Sequence, residues 1–364
     1  MKRQRVTTTE VAKEAGVSQA TVSMILNGYK DAKFSEETKI RVLEACDKPG
    51  YRYRTMRNGR FDNIDDRLLL VVCPSFQNGH YVKVSSAVQE RARELGYVAL
   101  VMCTQRSADE ENKIIHLCRD LHIAGVVLTY QPEKSFIQQL INMETHIVKL
   151  YDKSGNADID AIEFDNYKFG RLVTEHLVEL GHTYIAHISS SLSGKQSARS
   201  RRVEGIRSYL LERGLDPEKH LRISTIETEH LEIEEKPGSY ETGYLLAGHL
   251  IDSHVPVTAF AAMNDAVAYG VMEAIIERGK RIPEDYSVCG CDNLQYSGFQ
   301  RISLTTVEPY ITEKAHDAVN LLVRKIRAKD TDRRKCPASI TRIEYESQLI
   351  VRKSTGRCCR ADRG

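Results

Sequence analysis

Residues 6–28 read VTTTEVAKEAGVSQATVSMILNG. Thr7 followed by Glu10 has the spacing of a capping box, in which each side chain satisfies an orphan backbone N–H at a helix start. Val11, Ala12 and Ala15 then share one face, and Gly16 can take the left-handed conformation that ends a helix. Ser18 is a good N-cap for a second short helix through about Asn27, with Val22, Ile25 and Leu26 inward and Gln19, Ala20, Thr21, Ser23 and Met24 available outside. Two short helices joined by a glycine-containing turn make a helix-turn-helix. Ser35 can cap a third helix running through Ile40, Val42, Leu43 and Cys46, closing a three-helix core.

At 364 residues the chain is long enough for such a module plus a sizeable α/β body. The first sixty residues carry 13 Lys/Arg against 7 Asp/Glu, leaving 39 against 43 for the rest. A basic N-terminus on a mildly acidic body suits a nucleic-acid-binding module, although a solvated basic face would look the same. The nine cysteines are odd in number and show no zinc spacing. Several sit inside apolar runs, as Cys73 and Cys103 do, where a free thiol behaves as a small hydrophobe in a reducing compartment. No apolar stretch approaches the ~18 residues of a membrane span, and the N-terminus lacks the apolar core of an export signal. A cytoplasmic protein without membrane association is expected.

From about residue 66, buried strand-like runs alternate with amphipathic stretches. RLLLVVCP, YVALVMC, AGVVLTY and HIVKLYD form one βαβ series, and AIEF, YIAHISS, TAFAAMN and YSVCGCDN a second. Two series imply two similar lobes. Neither a GxGxxG fingerprint nor a phosphate loop follows any strand, and no nucleophile has an obvious base partner, so neither a cofactor nor catalysis is expected. The acids Glu227, Glu229, Glu232, Glu234 and Glu235 read as a solvated loop. The Arg-rich end from Thr355 reads as disordered.

The 6–28 string, with FSEETKIRVLEACDKPGYR at 34–52, closely resembles the DNA-binding headpiece of the LacI/GalR family of bacterial repressors. The later runs, including FDNYKFGRLVTEHLVELGH, the RVEG at Arg202, MNDAVAYGVMEA, RIPEDYSVCGCDN and LTTVEPY, resemble its two-lobed effector domain. The resemblance implies an α/β protein with a three-helix headpiece (1–52), a shortened hinge (53–65), a domain of the periplasmic-binding-protein-like type I fold (66–353) and a disordered tail (354–364). It implies a homodimeric repressor on operator DNA, at the nucleoid when bound, controlled by a small polar effector, expected to be a sugar. A cytoplasmic sugar-binding protein and an α/β enzyme working in the same cleft are the alternatives.

On this reading the helix from Ser18 lies in the major groove. Gln19, Ala20 and Met24 read bases, while Ser18, Thr21, Ser23 and Asn27 hold phosphates and Thr7 is a further DNA-binding residue. Many family members carry Arg where Met24 stands. In the linker YRTMRNGRF, Met56 falls at the position of the minor-groove wedge, but about four residues are missing, or roughly 6 Å of helix. An arginine-rich tether touching only phosphates, through Arg52 and Arg54 among others, is an equal alternative. For the effector, the resemblance singles out Arg202, Asp292 and Asn264, with His80, Tyr81, Phe164 and Asp165 as further candidates. Gly79 and His80 replace the family's usual proline and aromatic.

Overall fold

The computed structural model describes residues 8–26, 34–46, 67–152, 159–192, 197–231, 238–331 and 339–358. The chain forms two compact units, Met1–Ile64 and Asp65–Gly364.

In the first unit, α1 (Thr8–Ala15), α2 (Gln19–Leu26) and α3 (Glu36–Cys46) pack around Val11, Ala12, Ala15, Val22, Val42 and Ala45. Gly16 takes φ +66°, the left-handed turn expected after α1. Ser35 accepts from Thr38 N at 3.2 Å, capping α3. Ile40, expected inward, is 52% exposed, because the inward stripe of α3 runs through Val42 and Ala45.

In the second unit, one lobe contains β1 (Leu68–Cys73), α4 (Gly79–Glu94), β2 (Val98–Cys103), α5 (Ala108–Leu121), β3 (Gly125–Leu128), α6 (Lys134–Asn142), β4 (His146–Asp152) and β5 (Asp160–Phe164). The chain crosses to the other lobe with α7 (Asn166–Glu179), β6 (Ile185–Ile188), α8 (Ser197–Glu212), α9 (Pro217–His220), β7 (Leu221–Ser224), α10 (Ser239–Asp252), β8 (Ala259–Ala262), α11 (Asp265–Glu277), β9 (Ser287–Cys291) and β10 (Thr305–Glu308). It returns through α12 (Ile311–Thr331) and β11 (Arg342–Glu344), then crosses again to β12 (Gln348–Ile350).

The sheet orders are β11-β5-β4-β3-β1-β2 and β12-β10-β9-β8-β6-β7. All pairs are parallel except β10 with β12. In both sheets the first strand lies between the second and third, which creates a switch point at the carboxyl ends of the strands, where ligands bind in such folds. Each sheet is covered on both faces, which is why its central strands read as continuous apolar runs rather than alternating ones.

The chain end differs from the expected tail at 354. Ser354 is buried, donates to the Val288 carbonyl at 2.6 Å and accepts from Thr305 N at 2.8 Å. Gly356 donates to Ser287 Oγ at 3.1 Å, and Cys358 N donates to the Leu180 carbonyl at 2.9 Å. These bonds satisfy polar groups at the edge of the second lobe, so Ser354–Cys358 belong to its fold. Glu229, expected in a solvated loop, is buried and pairs with Arg222 at 2.9 Å; residues 232–237 lie outside the described residues.

Candidate functional site

The first candidate site is the outer face of α2. Val22 is fully buried and Ile25 half-buried, which fixes the helix against the headpiece core and turns Gln19, Ala20, Ser23 and Met24 outward. Ser18 Oγ accepts from Thr21 N at 3.0 Å and lies 2.9 Å from Thr21 Oγ1, so it caps the helix while remaining exposed. Gln19 Nε2 donates to Thr8 Oγ1 at 3.1 Å, which orients its amide along the helix N-terminus. Exposed hydroxyls, an amide and a thioether on one helix, beside the unsatisfied N–H groups of its first turn, are suited to phosphates and base edges. Thr7, Asn27, Arg52, Arg54 and Met56 lie outside the described residues.

The second candidate is a cleft of about 570 Å³ between the lobes. One wall comes from the carboxyl ends of β1–β5 and the other from those of β8 and β9 with the start of α8. His80, Tyr81, Phe164, Arg202, Asn264 and Asp292 all line it. Asp165 does not. Its carboxylate caps α7, accepting from Lys168 N at 3.1 Å, and the neighbouring Asn166 faces the cleft instead.

His80 and Tyr81 occupy the first turn of α4, whose N-cap Asn78 accepts from His80 N at 2.9 Å. The His80 ring lies edge-on to Tyr81 and 5.8 Å from Phe164, and its Nδ1 is 3.3 Å from Asp292 Oδ1. Arg202 donates to the Met263 carbonyl and to Asn166 Oδ1, and its plane lies 5.3 Å from the Phe169 ring. Its Nε is buried without a hydrogen-bond partner. Asn264 is both cap and wall: Oδ1 accepts from Val267 N at 2.9 Å at the start of α11.

Asp292 has φ 121°, a conformation that costs an ordinary residue energy and persists only when its surroundings hold it. Asp265 supplies that support. Its carboxylate accepts from Leu294 N at 2.8 Å, from Ser297 Oγ and from Thr306 Oγ1, pinning the loop just past Asp292. Burial, reinforced by the nearby Asp292 charge, pushes the Asp265 carboxyl up to about 6. Gly290 makes room for it, since a Cβ there would collide with Asp265 Oδ1.

Residues 7–53 match the family described as bacterial regulatory proteins, lacI family, and residues 174–355 match the periplasmic binding protein-like domain. The chain belongs to the LacI family. It is a DNA-binding transcriptional regulator with an effector-binding domain. LacI-family relatives include the ribose operon repressor of Halalkalibacterium halodurans, 28% identical over 348 residues covering 95% of this chain and 96% of the relative. The transcriptional repressor PurR of Mannheimia succiniciproducens is 28% identical over 349 residues, covering 95% and 97%. Among solved LacI-type structures, a CelR–cellobiose complex superimposes with TM-score 0.66 at 24% identity over 96% of this chain and all of that one. An Enterococcus faecium LacI-family regulator with bound ribose gives 0.67 at 22% identity, over 80% and 99%.

The cleft of this LacI-family chain also contains residues that the sequence reading passed over. Arg106 follows β2, Tyr130 follows β3 and Tyr151 is the penultimate residue of β4, all at carboxyl strand ends, a position that could have flagged them. Arg199 precedes Arg202 by three residues on α8, close to one helical turn, and faces the same cleft. Burial, and next the hydrogen bond that Tyr130 donates to Glu111 Oε1 at 2.6 Å, push its hydroxyl pKa upward and keep it a neutral donor.

Proposed function

We propose that the protein is a homodimeric repressor whose operator affinity is controlled by a small polar molecule of the sugar class, bound between the two lobes without chemical turnover. The observation that carries this reading is the pairing, in one chain, of a capped helix with an exposed polar face and a separate two-lobed unit whose cleft is walled by carboxyl strand ends. Cellobiose and ribose in similarly folded regulators support the sugar class. Arg202, Asn264 and Asp292 are assigned to hydroxyl groups, since a guanidinium fork and a carboxylate each engage two adjacent hydroxyls and an amide both donates and accepts. His80, Tyr81 and Phe164 form the apolar and aromatic side, and Asp165 caps α7 outside the cleft lining.

Gln19, Ala20 and Met24 are assigned to base edges, and Thr7, Ser18, Thr21, Ser23 and Asn27, with Arg52 and Arg54, to phosphates. Met56 is assigned to the minor groove as a wedge; an unchanged operator bend on Met56→Ala would remove that assignment. Two copies on a pseudo-palindromic site place one recognition helix in each half-site. Effector binding changes operator affinity only through a difference in effector affinity between the operator-competent and incompetent states, and the coupling is reciprocal. Among the described residues no helix is long and apolar enough to cross a membrane, which fits action in the cytoplasm on the nucleoid.

The test is gel-shift binding of the full-length protein to its own upstream DNA over a salt series, with and without a panel of sugars. Specific retardation that a sugar abolishes or induces is expected. Salt-sensitive binding that no competitor sequence discriminates and no effector alters would overturn the reading.

A further inference from the structure

We propose that the effector carries an anionic group, a carboxylate or phosphate on a polyol, and that Arg106 and Arg199, alongside Arg202, form the subsite that holds it. This rests on the regulator reading above and specifies the ligand of the same cleft. Three guanidinium groups line one cavity. Their hydrogen bonds go to neutral groups: Arg106 reaches Tyr81 Oη at 3.5 Å, Arg199 donates to the Ser191 carbonyl at 2.9 Å, and Arg202 donates to Met263 O and Asn166 Oδ1. Among the described residues none of the three is ion-paired. Arg199 and Arg202 are half-buried, so the cost of holding these cations together is not screened as it would be in open water. Burial first and then the Arg106 charge lower the Arg199 pKa, with Arg202 adding to them and Tyr81 and Glu227 opposing.

Carboxylates in the same cleft have other partners. Glu111 accepts from Tyr130 Oη at 2.6 Å and from Glu133 N at 3.2 Å, and Asp292 faces His80. The lining sets three arginines against three carboxylates, Glu111, Glu133 and Asp292, yet none of the three guanidinium groups is ion-paired among the described residues, and the cleft keeps buried donors without an acceptor. Arg202 Nε and Tyr151 Oη are both buried with no hydrogen-bond partner and belong to its lining. Buried donors are seldom left unpaired, and a ligand rich in acceptor oxygens would satisfy them. An anion also suits the planar, bidentate geometry of guanidinium better than a neutral hydroxyl does. The aromatic side formed by Phe164, Phe169 and Tyr81 suits the carbon skeleton of a polyol.

The experiment is calorimetric titration of the full-length protein with matched pairs. D-glucuronate and D-galacturonate are set against glucose and galactose, glucose 6-phosphate and ribose 5-phosphate against glucose and ribose, and inorganic phosphate serves as a control. At least one charged sugar is expected to bind about tenfold or more tightly than its neutral parent. Arg199→Gln or Arg106→Gln should remove that preference, and Arg199→Lys should retain part of it. The winning arm tells carboxylate from phosphate. Neutral parents binding as tightly as their charged partners, inorganic phosphate matching the sugar phosphates, no charged sugar binding, or a preference untouched by either Gln variant would each overturn the proposal. A neutral sugar that shifts operator binding in the gel assay would leave the regulator reading intact while removing this one.

Discussion

Ser18 shows how a single hydroxyl can serve stability and recognition together. Its oxygen accepts from Thr21 N at 3.0 Å and remains exposed, so the cap that starts α2 also faces outward. Replacing an N-cap serine with alanine costs about 1 kcal/mol. The headpiece core consists of only a few small side chains around Val22 and Val42, so that loss is a large share of what holds the module. Ser18→Ala is expected to lower the headpiece melting transition and weaken binding to all DNA sequences alike; a loss confined to one operator sequence would contradict the phosphate role. Met24 predicts the opposite kind of effect. It is 37% exposed and can offer only apolar contact, so Met24→Arg should add a guanine preference worth ~1–3 kcal/mol at one base pair in a binding-site selection. A wild-type preference for guanine opposite residue 24 would sink the assignment. Both outward faces could be read directly from helical periodicity and capping. Arg106 and Arg199 could not, because a lone Arg106 in a loop or Arg199 in the run SARSRR reads as a solvated charge until strand order brings them beside Arg202.

At the scale of elements, the position of α8 depends on a glycine contact. A Cβ at Gly170 on α7 would collide with the Arg202 carbonyl, and one at Gly205 on α8 would collide with the Tyr167 carbonyl. The two backbones touch, and that contact sets where Arg199 and Arg202 enter the cleft. Gly170→Ala keeps helix propensity favourable yet forces the helices apart, which overpacking costs place at ~1–3 kcal/mol. We expect a lowered melting temperature together with weakened effector binding at unchanged operator affinity of the unliganded protein. If effector affinity survived intact, the positioning role of this contact would be wrong. Elements buried on both faces were legible in the sequence: β1, β3 and β8 are unbroken apolar runs, and their intervening helices show clear stripes. Several short strands at or next to the sheet edges were not. β11 and β12 are three residues long and half-exposed, β7 carries Arg222 outward, and TTVE at β10 has no apolar run, so tertiary pairing alone makes them strands. The ordered chain end escaped notice for the same reason, since Ser354 finds its partners on β9 and at the start of β10, far away in sequence.

Across the whole two-lobed unit, the crossovers after β5, β10 and β11 converge on one side chain. Lys314, near the start of α12, is fully buried with its Nζ lacking a hydrogen-bond partner. The ammonium lies 3.9 Å from the centre of the Phe164 ring and 5.5 Å from that of Tyr345, and Asp165, Glu308 and Glu344 supply one carboxylate from each crossover. Burial outweighs these attractions and pushes the amine down to about 8. The sign of the resulting pH dependence follows from proton counting. Below about pH 8 the amine is charged in both folded and unfolded chains, and the full cost of its burial is present. Between about 8 and 10.5 the folded protein has released the proton while the unfolded chain still binds it, so this group makes stability rise with pH and then level off. Tyrosines and cysteines titrate in the same window, which makes the difference between wild type and Lys314→Met the quantity to measure. Denaturant unfolding of the two proteins between pH 7 and 11 should show wild type gaining on the variant through that window, by an amount on the order of a few kcal/mol. A difference independent of pH would mean that Lys314 keeps its proton in the fold, with the three carboxylates holding it as an ordinary buried ion pair. The crossovers would then be fastened by charge rather than strained by it, and opening the cleft would have to break those pairs.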